Sequence, residues 1–385
     1  MRALPSILAF VAAFGLLLSV PARAQEEDGG ADPASPQLQN GLITQVSLLP
    51  EQMKRNYVRI RSVPFKDPTL AFQFVGHSDW EWVAAETKVK SALDFLIPLG
   101  GLYTPNWEND QASITVGYGL VPREIDLEDW ISVYTLKNGF RVHRTQFGTV
   151  HGKPMADALA ERKEGEDRWI TRLTVMRDGG RLLVLEGRAK LAGFAKHAPT
   201  FAIAATSLRF EERATVMGSE ATEELVLSSP FRLAFLRPGS LQAETETNEP
   251  LGTQIAHLWN LSREGAVAGY VTVRAFDRER FPDLTPKALI QEFVKQLGES
   301  SLKLKQFPAK GLPEADGKTF DRERMSAGYI REDTGAPVEA QVVVASNAKI
   351  LVLVGMVSPG IAGSEGMWLV NRQAFRMAVE SLKTD

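Results

Sequence analysis

Five histidines are the side chains of this sequence best suited to moving protons or binding a metal, and their spacing decides whether they do either. His77, His143, His151, His197 and His257 show no i,i+4 pairing on a helix and no adjacent Asp/Glu ligand pattern. His143 and His151 fall in one connection, but two ligands do not make a zinc site. Ser300–Lys303, "SSLK", has the Ser-x-x-Lys spacing of some acylating hydrolases. It lacks the Ser-Asp-Asn and Lys-Thr-Gly partners of that chemistry, and it sits where a helix should end. "GLPEADGKT" (Gly311–Thr319) imitates a phosphate-binding loop, with five residues where four are required and with Pro313 removing an N–H. The acids Glu124, Asp126, Glu128 and Asp129 crowd a helix start, where the helix dipole accounts for them. The reading assigns no catalytic residue, no metal ligand and no cofactor, and the chain is expected not to be an enzyme.

Aromatic residues are the remaining candidates. Trp80 and Trp82 lie two apart on a strand or hairpin and so share a side, where core packing is the plainer explanation. Tyr103 and Trp107 flank "TPNWEND", a loop-like stretch in which packing explains a tryptophan less readily. Aromatics are enriched where proteins meet. Trp107, Tyr103 and Trp82 are therefore the candidate partner-binding residues.

The elements that must position them occur twice. "LAFQFVGHSDW" (Leu70–Trp80) and "FRLAFLRPGSL" (Phe231–Leu241) both alternate apolar residues as half-buried strands do, 161 residues apart. "ALDFLIPL" (Ala92–Leu99) pairs with "TQIAHLWN" (Thr253–Asn260), and "ASITVGYG" (Ala112–Gly119) with "GYVTVRAF" (Gly269–Phe276) at an offset of 157. Helices follow. Thr285 is a good N-cap with Pro286 at the first position, and Leu289, Phe293 and Leu297 form a stripe; Leu127, Trp130, Ile131 and Tyr134 do the same in the first half. "HGKPM" (His151–Met155) and "DGKTF" (Asp316–Phe320) are turns before strands. "RLLVLEGR" (Arg181–Arg188) and "KILVLVGM" (Lys349–Met356) then match at an offset of 168, each preceded by a strand and a polar hairpin turn. "TFAIAATSLRF" (Thr200–Phe210) and "AFRMAVESLKT" (Ala374–Thr384) read as closing helices that share Ser-Leu. A repeat this long is a domain duplication, not a solenoid. The expected fold class is α+β, each copy a mainly antiparallel single sheet with helices on both faces.

The ends and the composition bound the address. Arg2, the apolar run Ile7–Val20 and "ARA" at Ala22–Ala24 have the layout of a signal peptide cleaved between Ala24 and Gln25. With no cysteine, disulfides, thiol nucleophiles and a lipid-modified cysteine are excluded. A net charge of −3 gives no electrostatic case for nucleic acid. The expected order is a signal peptide over 1–24, a flexible lead-in over 25–55, domains over 56–214 and 230–385, and a linker over 215–229. The mature chain is expected to be soluble, without stable membrane insertion, in a Gram-negative periplasm or secreted.

The stretches "FVGHSDWEWV" (Phe74–Val83), "FLRPGSL" (Phe235–Leu241), "HGKPM", "DGKTF", "TSL" and "ESL" resemble the PsbP-like superfamily, which includes Mog-type, DcrB-like and Eag-chaperone-like domains. His77 and Leu241 depart from its Pro-x-x-Trp pattern, and a tandem arrangement departs from its usual single domain. The resemblance implies two tandem PsbP-like domains and a non-enzymatic role: binding another protein, as a chaperone or accessory factor of the bacterial envelope. The alternatives are a small-molecule or lipid carrier and a hydrolase with a site at the domain junction.

Overall fold

The computed structural model describes residues 50–86, 96–121, 123, 125–211, 220–262, 264–299, 302–305, 321–331, 335–361 and 364–384. The expected signal peptide, most of the lead-in, Ser300, "GLPEADGKT" and "DGKTF" lie outside them. The described residues form two compact units, 50–121 with 126–211, and 220–384 with Arg123 and Ile125.

The first unit opens with helix α1 (Pro50–Asn56), then strands β1 (Tyr57–Ser62), β2 (Phe72–His77), β3 (Glu81–Ala84), β4 (Ile97–Tyr103) and β5 (Ala112–Leu120). Helix α2 (Leu127–Lys137) leads to β6 (Arg141–Val150), β7 (Lys153–Glu164), β8 (Asp167–Asp178) and β9 (Arg181–Lys190). Helix α3 (Leu191–Ser207) and β10 (Arg209–Phe210) close it. The second unit runs β11 (Thr222–Leu227), β12 (Leu233–Pro238), β13 (Gln242–Asn248), β14 (Thr253–Leu261) and β15 (Val267–Asp277). There follow α4 (Pro286–Glu299), β16 (Leu302–Lys305), β17 (Asp321–Arg331), β18 (Pro337–Ser346), β19 (Ile350–Pro359), α5 (Glu365–Glu380) and β20 (Lys383–Thr384).

Each unit is α+β, with a seven-stranded antiparallel sheet in the order β3-β4-β5-β9-β8-β7-β6 or β13-β14-β15-β19-β18-β17-β16. Counted from the start of each unit, the order is the same. The expectation of one sheet per copy is corrected: β1-β2-β10 and β11-β12-β20 form separate three-stranded ladders. The closing helix separates the two layers. In the first unit α3 presses Phe201 onto the large sheet, where a Cβ on Gly187 would come within 2.6 Å of its ring, and offers Ser207 to β2.

A helix covers each face of the large sheet because its central strands are apolar on both sides. Along β9, Leu183, Leu185 and Ala189 share a core with Phe194 and Phe201 of α3. Glu186 points the other way and accepts a hydrogen bond from the Tyr134 hydroxyl of α2. Along β19, Val352, Val354 and Met356 pack with Val370 and Phe375 of α5, while Leu351 and Leu353 pack with Leu289, Phe293 and Leu297 of α4.

That alternation corrects the most obvious match in the sequence. β5 pairs Val116 with Leu185, and β15 pairs Val273 with Val354, so the true offset between β9 and β19 is 169. The same offset relates Thr174, paired with Leu185, to Val343, paired with Val354. Aligning "RLLVLEGR" with "KILVLVGM" is one residue out, and a slip of one turns every side chain to the opposite face. Gly187 lies beneath Phe201 of the closing helix, whereas Gly355 lies beneath Phe293 of the middle helix.

The shared Ser-Leu has a physical cause. β10 pairs with β2 only at Arg209↔Gln73 and Phe210↔Phe72, so the next inward-facing N–H of β2 needs another acceptor. Ser207 supplies it: the Val75 N–H donates to its Oγ at 2.8 Å, and that hydroxyl donates to Ile203 O at 2.6 Å. In the second unit the Leu236 N–H donates to Ser381 Oγ at 2.7 Å, and the hydroxyl donates to Met377 O at 2.5 Å. Leu208 and Leu382, the partners in the motif, are buried.

Helix starts follow their caps. Asp126 accepts from the Glu128 and Asp129 N–H groups at 2.7 and 3.3 Å, and Thr285 Oγ1 accepts from the Ala288 N–H at 3.2 Å. The closing helices are longer than expected. α3 begins at Leu191 and runs through Pro199, which reads as a start signal, because Phe194 and His197 already face the interior. α5 begins at Glu365, with Trp368, Leu369 and Val370 buried ahead of the expected start. Inside the expected linker, residues 222–227 form β11, whose Leu225 and Leu227 turn toward the core. Among the described residues no helix is long and apolar enough to cross a membrane.

Candidate functional site

The turn joining β4 to β5, residues 104–111, carries the one candidate aromatic that faces solvent. Trp107 is 39% exposed, and its ring meets Tyr103 edge-on with centroids 5.6 Å apart. Tyr103, the last residue of β4, folds its ring back over Gly101, where a Cβ would come within 2.5 Å of the hydroxyl. Tyr103 thus props Trp107 from below.

The turn itself is held at several points. Asp110 N and Asn109 N both donate to Asn106 O, at 2.9 and 3.2 Å, and Asn109 Nδ2 donates to Asn106 Oδ1 at 3.0 Å. Thr104 N donates to Ala112 O at 3.1 Å, and Thr104 Oγ1 donates to Asp110 O. The Asp110 carboxylate then reaches the closing helix, meeting His197 Nε2 at 2.6 Å and also Lys196 Nζ. Burial alone would raise the Asp110 carboxyl, but the hydrogen bonds and charges of Lys196 and His197 together hold it below its ordinary value.

His197 is buried, with its ring 5.4 Å from Trp80 and 6.3 Å from Phe201. Trp80 continues to His77, and His77 to Tyr57, whose hydroxyl lies 3.3 Å from Thr200 Oγ1. An aspartate–histidine pair is two thirds of a hydrolytic triad. Among the described residues, no hydroxyl is hydrogen-bonded to the His197 ring; the pair ties the turn to the closing helix as a latch. The second unit latches the same turn by different means. Asn371 of α5, at the place of His197, accepts from Asn260 Nδ2 at 2.9 Å and donates to Ala268 O at 3.0 Å.

Trp82, named as a candidate contact, takes the core-packed position that is the plainer reading of its strand spacing. Its ring sits 6.0 and 5.7 Å from Phe72 and Phe74, against the main core of the unit, and lies beside Gly100, where a Cβ would meet it at 2.4 Å. The alternation that put Trp80 and Trp82 on one side holds in outline, since both pack toward the core. Trp82 therefore does not join Trp107 at the surface. His197 was visible in the sequence only as one of five unpaired histidines, and Asp110 and Lys196 not at all, because residues 87 apart in the chain show no spacing pattern. His143 and His151 are not brought together on a metal: His143 Nε2 meets Glu161 at 2.9 Å, and His151 occupies a turn with φ 51°. Among the described residues, no three His, Asp or Glu side chains converge as metal ligands.

No protein-family model matches the sequence, and no curated protein sequence matches it. Solved structures are similar to parts of it. Cyanobacterial PsbP from Synechocystis sp. PCC 6803 aligns over 40% of this chain and 93% of its own, at 10% identity and a TM-score of 0.32. LpqN of Mycobacterium tuberculosis, described as involved in cell envelope biogenesis, aligns over 41% and 93%, at 15% identity and 0.29. The type VI secretion immunity protein TplEi of Pseudomonas aeruginosa aligns over 77% and 99%, at 13% identity and 0.23. Likeness at this level carries no functional argument, and the α+β architecture stands on the strand pairings themselves.

Proposed function

We propose that the chain is an exported, non-enzymatic protein that binds another protein in the bacterial envelope, using the Trp107 turn of the first unit as a contact. The observation that carries this reading is the combination of an exposed tryptophan with a turn fixed in advance. A large apolar ring costs little to display if it is already ordered, because association then loses less conformational freedom. Tryptophan anchors are also frequent where binding energy concentrates. The resemblance to accessory and chaperone domains points the same way, as does the signal-peptide pattern at the amino terminus.

The test is affinity capture with crosslinking from envelope extracts at native expression, comparing the parent chain with Trp107→Ser and Asp110→Ala. One reproducible partner is expected, captured poorly by Trp107→Ser and less well by Asp110→Ala, with both variants folded by circular dichroism. Equal capture by all three chains, or repeated capture of nothing, would contradict the proposal.

A further inference from the structure

The two units present sheet edges of opposite charge. β6 ends the large sheet of the first unit and β13 begins that of the second. Among the described residues β6 pairs with β7 alone and β13 with β14 alone, and most residues of both strands are exposed. β6 carries Arg141, His143 and Arg144 and no acid; β13 carries Glu244 and Glu246 and no base. Glu161, across from Arg141 on β7, is taken by His143 and Arg168. Arg141, Arg144 and Glu246 make no ion pair among the described residues, and Glu244 accepts a hydrogen bond from Trp259 Nε1 at 3.1 Å.

A bulge decides where the arginines point. β6 pairs Arg141 with Glu161, Val142 with Ala160 and Arg144 with Leu159, so His143 is the extra residue and the two arginines stand on one face. That is the α3 face, because Leu159 shares its core with Phe194 and Phe201. On β13, Glu246 pairs with Ile255, Ile255 with Arg274, and Arg274 with Leu353, which packs against α4. Glu244 and Glu246, two apart, are therefore both on the α4 face. These are the faces that an antiparallel join between two copies brings level. If both sheets were laid with their closing helices, α3 and α5, on the same side, β6 and β13 would run parallel, since each sheet has seven strands, all antiparallel. Turning one sheet over makes the two strands antiparallel and sets its α4 face level with the α3 face of the other.

We propose that the chain associates with copies of itself head to tail, β6 of one copy adding antiparallel to β13 of the next. Backbone pairing supplies the attraction that any two free edges share, and charge supplies the choice between edges. Glu244 and Glu246 come opposite Arg144 and Arg141, and opposite charges facing each other across strands are stabilising. On the other face Val142 and Phe147, 39% and 47% exposed, meet the row Ala243, Thr245 and Thr247. Joining β6 to β6, or β13 to β13, puts like charges on one face and is disfavoured. The charges thus block identical edges, as edge charges generally do, and fit the unlike one. A contact between unlike edges leaves one of each free, so it propagates into a chain of copies or closes into a ring. None of this depends on the Trp107 turn.

Sedimentation velocity of the full chain tests the assignment, at concentrations up to about 1 mM, where weak association is still read. The mass is expected to rise with concentration beyond one chain, and to fall back when salt is raised from about 0.05 M to about 0.5 M, because exposed charges are screened. Arg141→Glu with Arg144→Glu, and separately Glu244→Arg with Glu246→Arg, should each weaken association at least about tenfold, with circular dichroism unchanged. Mixing the two reversed chains should restore assembly, since each then offers the edge that the other's reversed strand requires. A one-chain mass at every concentration, assembly indifferent to salt or to either reversal, or folded reversed chains that stay apart when mixed would each overturn the proposal.

Discussion

Replacing Ser207 or Ser381 with alanine isolates one hydrogen bond in each unit and asks whether the same device works twice. Ser207→Ala strands the Val75 N–H, and Ser381→Ala strands the Leu236 N–H, in both cases where the two-residue strand that pairs with β2 or β12 has ended. A half-buried backbone donor without an acceptor costs about 1–3 kcal/mol. Alanine regains roughly 0.5 kcal/mol of helix propensity at the end of α3 or α5. The net loss is therefore about 1–2 kcal/mol per unit. For a unit of this size each kcal/mol lowers the midpoint by about 2–4 °C, so a fall of roughly 2–8 °C is expected. Differential scanning calorimetry of the full chain reads it, with Leu185→Ala, fully buried and worth about 2–5 kcal/mol, marking the transition of the first unit. Ser207→Ala should move only the transition that Leu185→Ala moves, Ser381→Ala only the other, and the double variant both, additively. A shift of less than a degree in either single variant, or movement of both transitions together, would refute the reasoning.

Acid should act on the second unit through His257. Its pKa of about 4 lies below the ordinary value of 6.5, so between these pH values the unfolded chain binds the extra proton. Stability of that unit is then greatest above the ordinary value and falls as the pH drops toward 4, by up to roughly 3 kcal/mol; urea titrations at stepped pH should show the slope, and His257→Gln should flatten it. Gly269 holds φ at 134°, and a Cβ there would lie 2.1 Å from Asn371 Nδ2, so Gly269→Ala should cost about 1–3 kcal/mol in the second unit alone, read by the same calorimetry. Residues 41–218 and 219–385, expressed separately, should each unfold cooperatively in thermal melts; fragments that fold only when mixed would mean that the cores are shared.

The parts of the fold that were readable in the sequence were those where side-chain type and period speak together. Thr285-Pro286 with the Leu289, Phe293, Leu297 stripe marked a helix start and its buried face, and the structure has both. The short turn at Gly179 marked the β8–β9 hairpin. Register was not readable on β9 and β19, because Leu182–Leu185 and Ile350–Val354 are unbroken apolar runs, as in strands covered by helices on both faces, and offer no alternation to count. Exposed edge strands escaped for the opposite reason: β6 and β13 are mostly polar and bury no apolar face, so "RVHRTQFGTV" and "QAETETN" look like loops. Pro199 hid the first half of α3 by imitating a boundary. At the candidate site, Trp107 was visible because a loop tryptophan is unusual. Asp110 and His197 meet only through the fold.

Site-specific photocrosslinking in living cells tests the contact claim most directly. A photoreactive residue at position 107 is compared with one at position 136, where Leu136 is 53% exposed on α2 and belongs to no proposed surface. The account predicts one reproducible protein adduct from position 107 and none from position 136. An adduct from position 136 with none from position 107 would contradict it.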